Sequence, residues 1–101
     1  MDNKKYKLGM VGLGVMGRNL IQNIAEHGFS VAGYDKDPEK NDALNSEAAD
    51  KPIRAFGLIK DFIESLEEPK TVMMLVPAGA PVDSVIDDIS PFLSENDILI
   101  D

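Results

Sequence analysis

The stretch Gly12-Leu13-Gly14-Val15-Met16-Gly17 decides how the rest of the chain is read. It is a complete GxGxxG, a pattern that also arises by chance and gains meaning only from its surroundings. Upstream, Tyr6 to Val11 is a short apolar run closed by Gly12, which suits a strand buried on both faces. Downstream, Met16, Leu20, Ile21, Ile24 and Ala25 recur at helical spacing, and His27-Gly28 supplies a C-terminal stop. Phe29 to Tyr34 follows as a second strand, and Asp35 stands at its end, eighteen residues beyond Gly17. Strand, glycine turn, helix, strand and acid come in the order that a dinucleotide-binding βαβ unit needs.

The residues of this unit have separable physical roles. Gly12 permits the tight turn, Gly14 lets backbone approach a pyrophosphate, and Gly17 lets the helix pack closely on the strand. The helix N-terminus presents orphan amides and a positive dipole end to the phosphates. Asp35 can accept hydrogen bonds from both ribose hydroxyls of NAD and would repel the 2′-phosphate of NADP. Lys36 could meet such a phosphate, but Asp35 and Asp37 flank it, so NAD is the expected cofactor.

Further along, Asp37-Pro38-Glu39 has the form of a helix start, expected to end near Asn45, with Ser46 to Lys51 as loop. Ile53-Arg54-Ala55-Phe56 is a short, weak strand. Leu58, Ile59, Phe62, Ile63 and Leu66 form a helical apolar stripe. Thr71 to Val76 is a continuous apolar strand, Pro81 to Leu93 a helix that Pro91 should bend or end near Ser90, and Ile98-Leu99-Ile100 a last buried strand. Strands alternating with helices imply a parallel sheet. The expected fold is therefore α/β, a Rossmann-type doubly wound sheet of five strands in the order 3-2-1-4-5.

Val76-Pro77-Ala78-Gly79-Ala80 directly follows the strongest strand, at the carboxyl edge where open sheets bind ligands. Small residues there would admit the nicotinamide end of a cofactor, although a plain turn before the helix at Pro81 explains the same spacing equally well. His27 reads as a helix-end residue interacting with the dipole rather than a catalytic group. Met10, Met16, Met73 and Met74 are expected in the core. Arg18, beside Gly17, is either near the phosphates or a solvated helix residue. Asp83, Asp87 and Asp88 are expected on the exposed side of the last helix, without a metal.

Composition narrows the classes. The chain has 101 residues, 44% hydrophobic and 28% charged, which suits one globular domain or a piece of one and excludes disorder as the main state. No apolar run approaches the ~20 residues of a membrane span, and no signal-peptide core is present, so the cytoplasm is the expected location. Cysteine is absent, which removes disulfides, thiolate metal sites and cysteine catalysis. The net charge of −8 argues against nucleic acid. Lys4, Lys5, Lys7 and Arg18 against Asp2 and Glu26 nevertheless leave residues 1–34 at +2, the end where a phosphate-bearing ligand would bind.

Taken together these residues resemble the 6-phosphogluconate dehydrogenases of the pentose phosphate pathway. The likeness runs through Gly12-Leu13-Gly14-Val15-Met16-Gly17-Arg18-Asn19-Leu20, His27-Gly28-Phe29, Ser65-Leu66-Glu67-Glu68-Pro69-Lys70, Val76-Pro77-Ala78-Gly79 and Asp97-Ile98-Leu99-Ile100-Asp101. It implies oxidative decarboxylation of 6-phosphogluconate to ribulose 5-phosphate with reduction of NAD(P). It also implies that Gly12, Gly14, Val15, Met16, Gly17 and Asp35 contact the adenosine diphosphate half, and Val76, Pro77, Ala78 and Gly79 the nicotinamide side. The NADP-using members carry Asn-Arg where this chain has Asp35-Lys36, and commonly Lys in place of Pro77, so the chain looks like the NAD-preferring branch.

In that family the substrate motif and the catalytic lysine and glutamate lie beyond the position of Asp101. The resemblance thus implies an incomplete dinucleotide-binding domain over residues 1–101, without the helical substrate domain, inactive alone and part of a homo-oligomer whose substrate is a phosphorylated sugar acid. Its last strand would be an edge exposing apolar surface. Two alternatives stand beside it: a 3-hydroxyisobutyrate-type 3-hydroxyacid dehydrogenase, which shares the glycine-rich opening, and a non-catalytic NAD-sensing module.

Overall fold

The computed structural model describes residues 5–75 and 80–100. Strands β1 (Leu8–Val11), β2 (Val31–Tyr34), β3 (Ile53–Phe56), β4 (Thr71–Met74) and β5 (Ile98–Ile100) alternate with helices α1 (Val15–Glu26), α2 (Pro38–Ala48), α3 (Ile59–Glu64) and α4 (Ala80–Ile89). The sheet order is β3-β2-β1-β4-β5, and every pairing is parallel. This is the expected doubly wound arrangement. Among the described residues no helix is long and apolar enough to cross a membrane.

The continuous apolar strands follow from burial on both faces, since successive side chains point to opposite sides. Met10 and Val31 join Leu13, Ile21, Leu44 and Ile53 in one core layer. Their neighbours Val11 and Ala32 join Phe62, Ile63, Leu66, Val72 and Ile89 in the other. Phe62, Met10, Leu13 and Ile21 are fully enclosed, and each such side chain contributes about 1.5–3 kcal/mol of burial.

Helix ends match their chemistry. Asp37 accepts from the Glu39 amide at 3.0 Å and Pro38 opens α2. At the end of α1, Gly28 has φ +93° and its amide donates to Ala25 O at 3.0 Å. Helix α4 stops at Ile89, and Ser90–Phe92 forms a 3-10 turn containing Pro91.

Three expectations are corrected. Helix α2 does not end near Asn45: Ser46 and Glu47 are helical and the helix runs to Ala48, because Asn41, Leu44 and Ala48 share one buried face. Asn45 then caps the outer edge of the sheet, accepting from Ala55 N at 2.8 Å, so β3 is paired with β2 over its four residues and shielded on its free side. Met16 is not a core residue. It is 72% exposed on the first turn of α1, whereas Met10 and Met74 are buried as expected. Finally, β5 is not a buried strand but the exposed edge that the resemblance implies: Ile98 and Ile100 are 53% and 39% exposed there.

Candidate dinucleotide-binding site

The glycine turn leaves β1 at Gly12, which has φ +101°, a conformation costly for any residue with a Cβ. Gly12 N donates to Tyr34 O at 3.0 Å, so the turn begins as a continuation of the β1–β2 pairing. Leu13 then buries its side chain completely. The chain turns outward at Gly14, the N-cap of α1, with φ −68° and ψ −175°. A Cβ on Gly14 would meet nothing within 4 Å. A Cβ on Gly17 would collide with the Gly12 carbonyl oxygen.

These glycines therefore serve different ends. Gly17 is required by packing inside the domain, and Gly14 is required by nothing inside it. The open space above Gly14 lies at the start of a helix with no side-chain cap and no acidic residue in its first turn. Those are the conditions under which helix amides and dipole receive an anion. Val15 and Met16, 68% and 72% exposed, flank this space as apolar surface. The residues fit a dinucleotide pyrophosphate.

Asp35 follows β2 and stands beside the turn. Its Oδ2 accepts from Leu13 N at 2.8 Å and its Oδ1 from Asp37 N at 2.9 Å. Each carboxylate oxygen has a second lone pair, so both remain able to accept from a ribose hydroxyl. The surroundings are negative: Lys36 pairs with Asp88 Oδ2 at 3.9 Å, and Asp37 is next in sequence. Burial, and then the charges of Asp88 and Asp35, push the Tyr34 phenol above its ordinary pKa.

Arg18 lies against the glycine turn and is not a merely solvated helix residue. Its Nη1 donates to Leu13 O at 2.8 Å, and its Nε lies 3.2 Å from Glu47 Oε1. Leu13 is thus held through its amide by Asp35 and through its carbonyl by Arg18. His27 is exposed, with Nδ1 2.8 Å from Asn23 O, about 18 Å along α1 from the glycine turn by helix rise. Asp87 and Asp88 are exposed on α4. Val76, Pro77, Ala78 and Gly79 lie outside the described residues.

Asn41 was not singled out from the sequence. It is 7% exposed, accepts from Asp35 N at 2.9 Å and donates to Asp35 O at 3.0 Å. The available signal was its spacing of three and seven residues from Leu44 and Ala48, which puts a polar side chain on the apolar face of α2.

Comparison with known proteins agrees with this geometry. Residues 7–101 match the model of the NAD binding domain of 6-phosphogluconate dehydrogenase. The chain is 50% identical over 94 residues to 6-phosphogluconate dehydrogenase, decarboxylating 1, of Saccharomyces cerevisiae, covering 92% of this chain and 19% of that protein. It is 43% identical over 95 residues to the decarboxylating enzyme of Chlamydia muridarum, covering 93% of this chain and 20% of that one. The solved 6-phosphogluconate dehydrogenase of Plasmodium falciparum superposes with a TM-score of 0.85 at 29% identity over 92% of this chain and 20% of its own, and was studied with its cofactor NADP+ and its substrate 6-phosphogluconate. The chain spans about one fifth of the length of the relatives it matches. With an α/β parallel sheet, a glycine turn open at Gly14 and a family match over almost its whole length, the chain belongs to the NAD(P)-binding domains of the 6-phosphogluconate dehydrogenase family.

Proposed function

We propose that this chain is the amino-terminal, NAD-preferring cofactor domain of an oxidoreductase that oxidatively decarboxylates 6-phosphogluconate to ribulose 5-phosphate. The observation that carries the cofactor choice is Asp35, anchored to the amide of Leu13 at 2.8 Å with lone pairs left for a ribose. A 2′-phosphate in that place would lie against the Asp35 carboxylate, with Asp37 and Asp88 nearby, so the P. falciparum enzyme's NADP+ does not transfer to this chain. Bound NAD would accept the hydride. The chain's own contribution is to hold the pyrophosphate at Gly14 and the α1 amides and to orient the adenosine ribose at Asp35. Val76, Pro77, Ala78 and Gly79 are assigned to the nicotinamide side.

The relatives are about five times longer, and the substrate-binding and proton-transfer groups are assigned to the part of the protein that this chain does not span. We place the whole protein in the cytoplasm, acting on a phosphorylated sugar acid and not on nucleic acid or membrane, as a homo-oligomer. Exposed Ile98 and Ile100 are apolar edge surface of the kind that further structure covers.

Calorimetric titration with NAD and NADP tests the cofactor choice: NAD should bind more tightly, and Asp35→Asn should narrow the gap by roughly tenfold, about 1.4 kcal/mol. Tighter binding of NADP by the parent protein would overturn it. Turnover of 6-phosphogluconate by the 101 residues alone would overturn the division of labour.

A further inference from the structure

Asp35 stands just past the point where β2 stops pairing. The β2–β3 register ends at Tyr34 and Phe56, so no strand takes up the Asp35 peptide groups. Asn41 takes them up instead, its side-chain oxygen accepting from Asp35 N at 2.9 Å and its side-chain nitrogen donating to Asp35 O at 3.0 Å. These two bonds hold the peptide planes on either side of the Asp35 Cα. With both planes held, the Asp35 Cα–Cβ direction is fixed, and from that base the carboxylate reaches Leu13 N at 2.8 Å and Asp37 N at 2.9 Å. Asn41 is buried on the apolar face of α2, where an amide is costly unless both of its ends are used. Here both ends are used on one residue, and that residue is the one to which the ribose is assigned.

We propose that Asn41 is a positioning residue for cofactor choice, setting through the Asp35 backbone the direction in which the carboxylate meets the ribose. The proposal rests on the assignment of NAD preference to Asp35. It predicts that Asn41→Ala lowers the ratio of NAD to NADP affinity by roughly five- to tenfold, the scale of one or two hydrogen bonds, while Asn41 substitution in the Asp35→Asn background leaves the ratio where Asp35→Asn alone puts it.

The test is a double-mutant cycle in the whole natural protein, read by calorimetric titration with NAD and with NADP, with thermal melting as the check on folding. A merely structural Asn41 would weaken both cofactors alike and in both backgrounds, and that result would overturn the proposal. If Asn41→Ala does not fold, Asn41→Leu replaces it, since leucine is of similar size and a better helix former. Failure of both to fold would make Asn41 a structural residue and end the proposal. If Asp35→Asn itself leaves the NAD-to-NADP ratio unchanged, the assignment to Asp35 has failed. If Asp35→Asn shifts the ratio and Asn41→Ala does not, only the role of Asn41 has failed.

Discussion

Gly17 and the Gly12 carbonyl oxygen are in direct contact, with no room for a Cβ between them. The contact seats the first turn of α1 on the end of β1 and so sets the position of the amides at the α1 N-terminus, where the phosphates are proposed to bind. Replacing glycine by alanine within a helix ordinarily stabilises by about 0.5–1 kcal/mol. At Gly17 the sign should reverse, because backbone cannot yield as a flexible side chain can. We expect Gly17→Ala to cost about 1–3 kcal/mol and to weaken NAD and NADP together, read from the denaturant midpoint and the two titrations. A midpoint at or above that of the parent would show that the helix shifts without cost.

Gly14 should behave in the opposite way. Its φ of −68° suits any residue and a Cβ there meets nothing within 4 Å. Gly14→Val should therefore stay within about 1 kcal/mol of the parent, the residual loss coming from the poorer N-cap. Dinucleotide affinity should nevertheless fall by roughly tenfold or more, about 1.4 kcal/mol, because the side chain occupies the approach to the α1 amides. Undiminished NAD binding by Gly14→Val would place the pyrophosphate elsewhere.

The contrast between these glycines shows what can be read from a linear pattern. The parallel sheet covered on both faces was legible because apolar runs without alternation demand such cover, and Met10 and Val11 do face opposite core layers. The end of α2 was misjudged because Ser46 and Glu47 are polar, although Leu44 and Ala48 already marked a continuing buried face. Met16 was misplaced because helical spacing cannot say whether a first-turn residue faces the sheet or the solvent. The place of Asp35, just after β2 and beside the glycine turn, was legible from its spacing. Its bond to Leu13, 22 residues away in sequence, and the grip of Asn41 on its backbone are tertiary contacts that no local pattern encodes.

Asp97 offers a pH-dependent test of the β4–β5 end of the sheet. Its Oδ2 accepts from Ser94 N and its Oδ1 from Lys70 N, each at 2.7 Å. The Ser94 bond, then the Lys70 bond, hold its carboxyl below the ordinary carboxylate pKa. A folded-state pKa below the unfolded one means that the charged form is bound more tightly in the folded chain. Its stabilisation is complete above the unfolded pKa and is lost as pH falls through the folded one. Asp97→Asn should thus be less stable than the parent near neutral pH, and the gap should shrink as the solution is acidified below the ordinary carboxylate range. Denaturant midpoints of the two proteins measured from pH 7 to about pH 3 check this, and a gap that stays constant would contradict it.

Arg18 separates holding the glycine turn from binding phosphate. Its side chain is 21% exposed, and two of its five N–H donors are engaged, with Leu13 O at 2.8 Å and Glu47 at 3.2 Å. Arg18→Ala removes one of the two bonds that grip Leu13, the other being that from Leu13 N to Asp35. We expect a loss of about 1–2 kcal/mol in stability and an equal weakening of NAD and NADP, since both share the pyrophosphate that we assign to the turn. Glu47→Gln should cost less, under about 1 kcal/mol, because Glu47 lies at the more exposed end of the pair. A phosphate ligand would give a different signature: Arg18→Ala would flatten the salt dependence of cofactor binding while leaving the melting midpoint almost unchanged. Equal loss for both cofactors, an unaltered salt slope and a lowered midpoint together identify Arg18 as the residue that keeps the Leu13 carbonyl in place.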